Sequence, residues 1–284
     1  MRDPIGHLER MSGERASDIL EYLSECLKDV RFNIFNSNPN TARRRQEAYL
    51  DIVNAYDLFG EESDEALRML CESAANEAVL QGDYETEKDS DSDGVLIEFS
   101  KERLEEYWDY VHPANGDCLA AVFTDKMSKS NIDALRQATL EAVRQGAAEG
   151  LTSVQIQALL KAKWQAYSTD PDNFRFVDKS GRVWNNDTYI NMLARTTAQR
   201  VYNDAYLDRM AASGYKYVRL TSLGVPDCDN CKEWQGRLLS IYDGVNRDVP
   251  SVADARSAGV FHPNCVCTFA RVRNRDAMRE LNSK

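Results

Sequence analysis

The sequence predicts a mainly α-helical protein whose front two-thirds is helical and whose C-terminal end is a small α+β domain stapled by a metal site. Three observations carry this. Apolar residues recur every three to four positions through most of the chain. Strand-like runs bounded by turn residues gather after about residue 174. Near the C-terminus, Cys228-Asp229-Asn230-Cys231 is answered by His262-Pro263-Asn264-Cys265-Val266-Cys267. Two residues between the first cysteines is the spacing of a metal knuckle, and zinc takes four such ligands at about 2.0–2.3 Å.

The first helix is expected over Glu14–Arg31, with Ile19, Leu20, Leu23, Leu27 and Val30 on one face and Cys26 beside them as a buried thiol. Asn36-Ser37-Asn38-Pro39-Asn40 breaks it, and Thr41 caps a second helix that carries Tyr49, Ile52, Val53, Tyr56 and Leu58. A third is expected from about Glu62 to Leu80, with Leu67, Leu70, Cys71 and Ala75 inward. Arg43-Arg44-Arg45 opens a helix amid acids and reads as a salt-bridged face. Asp89-x-Asp91-x-Asp93-Gly94 begins like a calcium loop, but its twelfth position is Ser100 where a bidentate glutamate is needed, so an exposed acidic loop is expected. Val95–Phe99 reads as a short strand and Ser100–Tyr110 as a helix.

His112–Asp117 is turn chemistry and marks a boundary. Helices follow at Ser128–Gln145 and Ser153–Tyr167. Phe174–Val177 and Arg182–Trp184 flank Asp178-Lys179-Ser180-Gly181 as a β-hairpin. Asn186 or Asp187 caps a long helix with Ile190, Leu193, Thr197, Val201 and Ala205 buried, ended by Gly214. Strands are expected at Tyr215–Ser222, Gly236–Ile241 and Thr268–Val272, with a short helix at Val252–Ala258. The expected regions are 1–112, acidic and helical; 113–183, helical and ending in the hairpin; and 184–284, the zinc-stapled α+β domain.

Composition narrows the function classes. The chain has 284 residues, 43% of them hydrophobic, the proportion of a globular protein. Residues 1–18 lack the apolar core of a secretory signal, and no run reaches the ~18 apolar residues of a membrane span, so neither secretion nor a membrane partner is expected. Seven cysteines, an odd number, argue for reduced thiols over a disulfide framework. Residues 1–110 carry 12 Lys/Arg against 27 Asp/Glu, a net of −15, whereas residues 111–284 carry 23 against 19, a net of +4. An acidic front half is a poor binder of nucleic-acid phosphates.

The Cys-x-x-Cys pair is read as structural zinc. A redox pair needs a helix N-terminus to lower a thiol pKa, and Lys232-Glu233-Trp234-Gln235 meets Gly236 too soon for much helix. A catalytic zinc keeps an open position beside a base, and His262 is the one histidine nearby. His7 and His112 lie in loop-like sequence and are given surface roles. The expected ligands are Cys228, Cys231, Cys265 and Cys267, with His262 as the alternative. Four thiolates leave a net charge of −2 with Zn²⁺, which Lys232, Arg237 and Arg271 are placed to offset. Cys265 and Cys267, at i and i+2, lie about 6.7 Å apart on an extended chain, so a bend is required there. His262 and Cys265, three apart, have the easier spacing.

Trp184, then Tyr189–Thr197, Gly214, Cys228-x-x-Cys231-x-x-Trp234-Gln235-Gly236, Ser240 and Ala258–Cys267 form one ordered series. Over residues 184–272, about a third of the chain, it resembles the C-terminal region of tailed-phage minor capsid, or head morphogenesis, proteins. The resemblance implies a non-enzymatic virion protein of the phage head, made in the host cytoplasm. It implies contacts with the portal or major capsid protein, packaged DNA as a further partner, and a role in head assembly or in DNA packaging or ejection. The chain departs from the pattern at Val266, where relatives often have arginine, at Cys267, where some have histidine, and at Thr197, where an acid is frequent. Some phage head proteins of this type are fused to an ADP-ribosyltransferase, whose order is Arg, Ser-Thr-Ser, Glu-x-Glu. Here Glu85-Thr86-Glu87 precedes every candidate arginine, so the order is wrong. A zinc-stapled nucleic-acid-binding module is the other alternative, with Arg271, Arg273, Arg275 and Arg279 as candidate phosphate contacts. Arg195 is read as an ion-pairing residue on its helix.

Overall fold

A computed structural model describes residues 4–36, 41–86, 133–134, 137–167, 176–177, 183–222 and 228–283. The expected acidic loop beyond Thr86, the strand at 95–99, the helix from Ser100 and the turn with His112 lie outside these residues. The described protein is mainly helical with a small C-terminal sheet, as the sequence predicts.

Helix α1 runs Pro4–Asn36 and α2 runs Ala42–Thr86. Thr41 caps α2 as expected, its Oγ1 accepting from the Arg44 N–H at 3.2 Å. Arg43 pairs with Glu47 at 2.8 Å. The sequence suggests two helices here, but one continuous helix forms across Gly60. Ile52, Tyr56, Phe59, Ser63, Ala66, Leu67, Leu70 and Ala74 are all buried and keep the helical step through the glycine. A helical glycine costs about 1 kcal/mol relative to alanine, less than the burial of even one of the larger side chains contributes. The same stripe turns Phe59 inward and leaves Leu58, expected inside, 54% exposed.

The chain divides into two compact units: residues 17–66 with 112–190, and residues 1–16 with 67–111 and 191–284. Each gathers separated stretches of chain.

In the first of these units, Ile19, Leu23, Cys26 and Val30 are buried on α1. Burial pushes the Cys26 thiol up to about 12, so it is inert at neutral pH. Helix α3, residues 137–149, turns at Gly150 (φ +63°) into α4, Ser153–Tyr167. Thr152 and Gln155 bond reciprocally across that start, a capping box, with the Thr152 N–H donating to Gln155 Oε1 at 2.9 Å. Trp164 is fully buried, and Lys163 pairs with Glu141 at 3.2 Å. The expected hairpin is present: β1, Phe176–Val177, pairs antiparallel with β2, Val183–Trp184. Helix α5, Asn186–Ala212, begins one residue earlier in cap than expected, because Asn185 Oδ1 accepts from the Asp187 N–H at 3.2 Å.

The other unit contains the remainder of α5 and the C-terminal sheet. Gly214 (φ +80°) ends α5, taking the left-handed conformation that glycine adopts without penalty. Strand β3, Tyr217–Ser222, is central, flanked antiparallel by β4, Leu238–Ser240, and β5, Cys267–Val272. Short helices α6, Asp229–Trp234, and α7, Val252–Ser257, lie between strands, and α8, Asn274–Asn282, follows β5. Tyr217, Leu238, Val249, Val272 and Ala277 form a core joining sheet to α8.

The end of α2 is fixed to α5 within this unit. Arg209, 6% exposed, pairs through Nε with Asp83 and donates through a terminal nitrogen to Ser213 Oγ. Tyr206 donates to Glu85 Oε2 at 2.6 Å, and Arg271 donates to the Glu85 carbonyl. Gly82 lets the helices approach: a Cβ there would stand 2.6 Å from Arg209 Cγ.

Helix α7 opens on a capping box in which the Ser251 N–H donates to Asp254 Oδ2 at 2.8 Å and the Asp254 N–H to Ser251 Oγ at 3.1 Å. Ser251→Ala is expected to cost about 1 kcal/mol in thermal or urea unfolding. The Ser251 bonds hold the Asp254 carboxyl below its usual range. Its contribution is therefore present above the unfolded carboxylate pKa and disappears as pH falls through the lower folded value. That acid-side loss is expected to be absent in Asp254→Asn.

Candidate metal centre

The first two donors are delivered by α6. Cys228 is its N-cap, in extended conformation, and its Sγ accepts the Cys231 N–H at 3.2 Å. One helical turn thus closes on the sulfur and points Cys231, 1% exposed, toward the same place. The sequence suggested little helix here, yet six residues suffice because the cysteine itself caps them.

The other donors come from the segment between α7 and β5. Asn230 donates to the Ala258 carbonyl at 3.1 Å, tying α6 to the end of α7. The chain then passes through Phe261 at φ +67° and Asn264 at φ +60°, bracketing His262 and Pro263. The Cys265 N–H donates to the His262 carbonyl at 2.9 Å, closing the turn. Cys267 begins β5 opposite Ser222. Cys265 therefore lies in the turn and Cys267 in the sheet, which supplies the bend that their spacing demands.

Helix α5 grips this segment with a polar stripe. Thr196 Oγ1 accepts the Asn264 N–H at 3.1 Å. Asn203 Nδ2 and Gln199 Nε2 both donate to the Cys267 carbonyl, at 3.0 and 3.4 Å, and Asn203 Oδ1 accepts from Thr268 Oγ1 at 2.8 Å. Thr196 belongs to the motif series, but the sequence does not single out Gln199 and Asn203. The available signal is an asparagine, 3% exposed, on the buried face of a helix, where an amide needs dedicated partners.

All five sequence-predicted donors converge. His262 Nε2 stands 3.0 Å from Cys228 Sγ and 3.3 Å from Cys231 Sγ, and Cys231 Sγ stands 3.6 Å from Cys265 Sγ. The donor atoms form two triads, Cys228–Cys231–His262 and Cys231–Cys265–Cys267, each within 4.8 Å internally and sharing Cys231. Thiolates and an imidazole around one point fit a borderline-soft divalent ion such as zinc. Both triads consist of cysteine and histidine alone, with no carboxylate among the donors. Zinc there would supply cross-linking of α6 to the β5 turn.

The electrostatics fit the same use. A hydrogen bond from the Cys267 thiol is the main cause that brings Cys265 down to about 5, and the same contact drives Cys267 upward. Burial pushes Cys231 up to about 12. For Cys228, burial acts upward but is outweighed by the bonds from Cys231 and His262, so the thiol is lowered. Burial likewise opposes the His262 shift, yet its bonds to the Pro263 carbonyl and Cys228 leave it raised. A metal ion would replace the protons of those thiols that bind it. N–H···S bonds support the sulfurs, among them one from the Cys231 backbone to Cys228 Sγ at 3.2 Å and one from Gln235 Nε2 to Cys267 Sγ at 3.3 Å.

The cations expected to offset the thiolates are engaged elsewhere. Lys232 pairs with Asp229, Arg237 pairs with Glu233 and lies over the Trp234 ring, and Arg271 reaches Glu85 and Tyr215. Nor do the four C-terminal arginines form one stripe: Arg271 turns inward, while Arg273, Arg275 and Arg279 approach Asp276 at 3.1, 4.0 and 3.9 Å. Arg195 is exposed, and its Nε donates to the Asn191 carbonyl at 3.4 Å. His7 meets Glu77 at 3.0 Å.

Residues 137–272 match the model of a protein family described as phage minor capsid protein 2. The match agrees with the family that the motif series resembles, takes in every candidate ligand, starts at α3 and ends on the last residue of β5. It supports a structural role in a phage particle, and a capsid family is consistent with a non-enzymatic protein of the virion. No curated protein and no solved structure shows significant similarity to the chain. Among the described residues no helix is long and apolar enough to cross a membrane.

Proposed function

We propose that this protein is a minor capsid protein of a tailed phage, placed in the head near the portal, where it assists head assembly or DNA packaging and ejection. The observation that carries the reading is the compact cysteine–histidine cluster inside the family-matched region, built without a carboxylate base and gripped by α5. Such a centre holds a small sheet together and performs no turnover. The ion is zinc on this reading, and the partners are the portal protein, the major capsid protein or both. Purified particles and proheads are expected to contain the protein, and portal protein is expected to co-purify with it after nuclease treatment. Recovery from host cytosol alone, with a catalytic turnover, would contradict the proposal.

A second reading has one observation in its favour. Arg273, Arg275 and Arg279 each stand within 4.0 Å of Asp276, which gathers three guanidinium groups on and beside α8. A nucleic-acid contact there predicts salt-dependent DNA binding that weakens when these three arginines become alanine. Binding unchanged in that variant would rule it out.

A further inference from the structure

We propose that the ion is held by Cys228, Cys231, Cys265 and His262, with Cys267 outside the coordination sphere on the opening residue of β5. The proposal rests on the metal-centre reading and departs from the even set of four cysteines that pairing by spacing favours. Four arguments support it.

His262 Nε2 lies between two sulfurs, 3.0 Å from Cys228 and 3.3 Å from Cys231, and Cys231 lies 3.6 Å from Cys265. Donors placed about 2.0–2.3 Å from one tetrahedral ion are about 3.3–3.8 Å from each other. These contacts are therefore close to the edges of such a tetrahedron.

The imidazole is also oriented. His262 Nδ1 lies 2.8 Å from the Pro263 carbonyl, which accepts its proton. That bond fixes the tautomer and leaves the Nε2 lone pair for the ion, the arrangement found around metal-bound histidines.

Backbone strain is concentrated at this residue. Phe261 at φ +67° is a bulky side chain in the left-handed region, and Asn264 at φ +60° closes the other side. Packing holds Phe261 there, its ring 5.2 Å from that of Phe269, while the Thr196 hydroxyl holds Asn264. Two reversals three residues apart turn His262 toward α6. Delivering Cys267 does not require them, because the sheet already sets its position.

Cys267, finally, is committed elsewhere. It is fully buried, paired with Ser222 in the ladder, bound through its carbonyl by Asn203 and through its sulfur by Gln235. The turn residue Cys265 completes the histidine set without moving Cys267 from the opening pair of the β3–β5 ladder. Three thiolates with one divalent ion also leave a charge of −1 in place of −2. The smaller charge suits a half-buried site whose neighbouring cations are already paired.

The test is metal content of the purified full chain and its variants, together with the absorption spectrum of the cobalt(II)-substituted protein. The expected results are one zinc per wild-type chain, an unchanged one in Cys267→Ser, and at least a 100-fold weaker affinity in His262→Ala. His262→Cys is expected to restore tight binding. The sulfur-to-cobalt charge-transfer band of the wild type is expected to have three-thiolate intensity, a readout that needs no variant to fold. A four-thiolate band, loss of metal from Cys267→Ser with retention by His262→Ala, or two ions per chain would overturn the assignment. A wild type that binds no ion at all would instead refute the metal centre itself.

Discussion

With a metal bound at this centre, Cys231→Ser is expected to release it and unfold the C-terminal sheet region. Cys231 belongs to both donor triads, lies 3.3 Å from His262 Nε2 and 3.6 Å from Cys265 Sγ, and is 1% exposed. The three strands contain 6, 3 and 6 residues, and the core that joins them to α8 is small. In modules of this size metal binding supplies about 10 kcal/mol or more of the folding free energy. Loss of zinc by elemental analysis should coincide with rapid proteolysis within residues 215–283. A Cys231→Ser protein that kept both its zinc and its protease resistance would remove Cys231 from the centre.

Asp83→Ala is expected to destabilise the unit that contains it by about 3 kcal/mol. Arg209 is 6% exposed and pairs with Asp83, which is itself 25% exposed. Removing the carboxylate leaves a buried guanidinium bonded to the Ser213 hydroxyl, and an uncompensated buried charge of this kind costs about 3–5 kcal/mol. The partial exposure of Asp83 places the effect at the lower end. Because the cost arises from the stranded cation, the double variant Asp83→Ala with Arg209→Met is expected to recover much of it. Urea denaturation of the two variants checks this, and a double variant no more stable than Asp83→Ala would show that the aspartate acts through something other than the pair.

Much of this structure is legible in the sequence because its signals are local. The buried stripe Ile19, Leu23, Cys26 and Val30 follows helical periodicity, the β1–β2 hairpin follows its turn residues, and Gly214 ends α5 through its own conformational freedom. The five donors are legible for the same reason: each cluster has its own spacing. What the sequence does not show depends on tertiary partners. The continuity of α2 through Gly60 is set by a buried stripe on both sides of the glycine. The left-handed backbone at Phe261 is held by Phe269 and the turn around His262, so composition alone does not reveal it. Arg271 reads as a basic tail residue, but pairing of β5 with β3 brings it to the end of α2, where Glu85 offers a carbonyl. Asn203 is one polar residue in a helix until the Cys267 carbonyl gives it a partner.

Native mass spectrometry of the full chain before and after chelation, combined with hydrogen exchange, tests most directly whether a bound ion closes the C-terminal fold. The predicted result is a mass increment of one zinc that the chelator removes. Amides of β3 and β5, residues 217–222 and 267–272, should then exchange rapidly, while those of residues 137–149 and 153–167, in the other unit, keep their protection. A protein free of metal as purified from zinc-replete cells, or one whose β5 amides remain equally protected after the ion is removed, would contradict it.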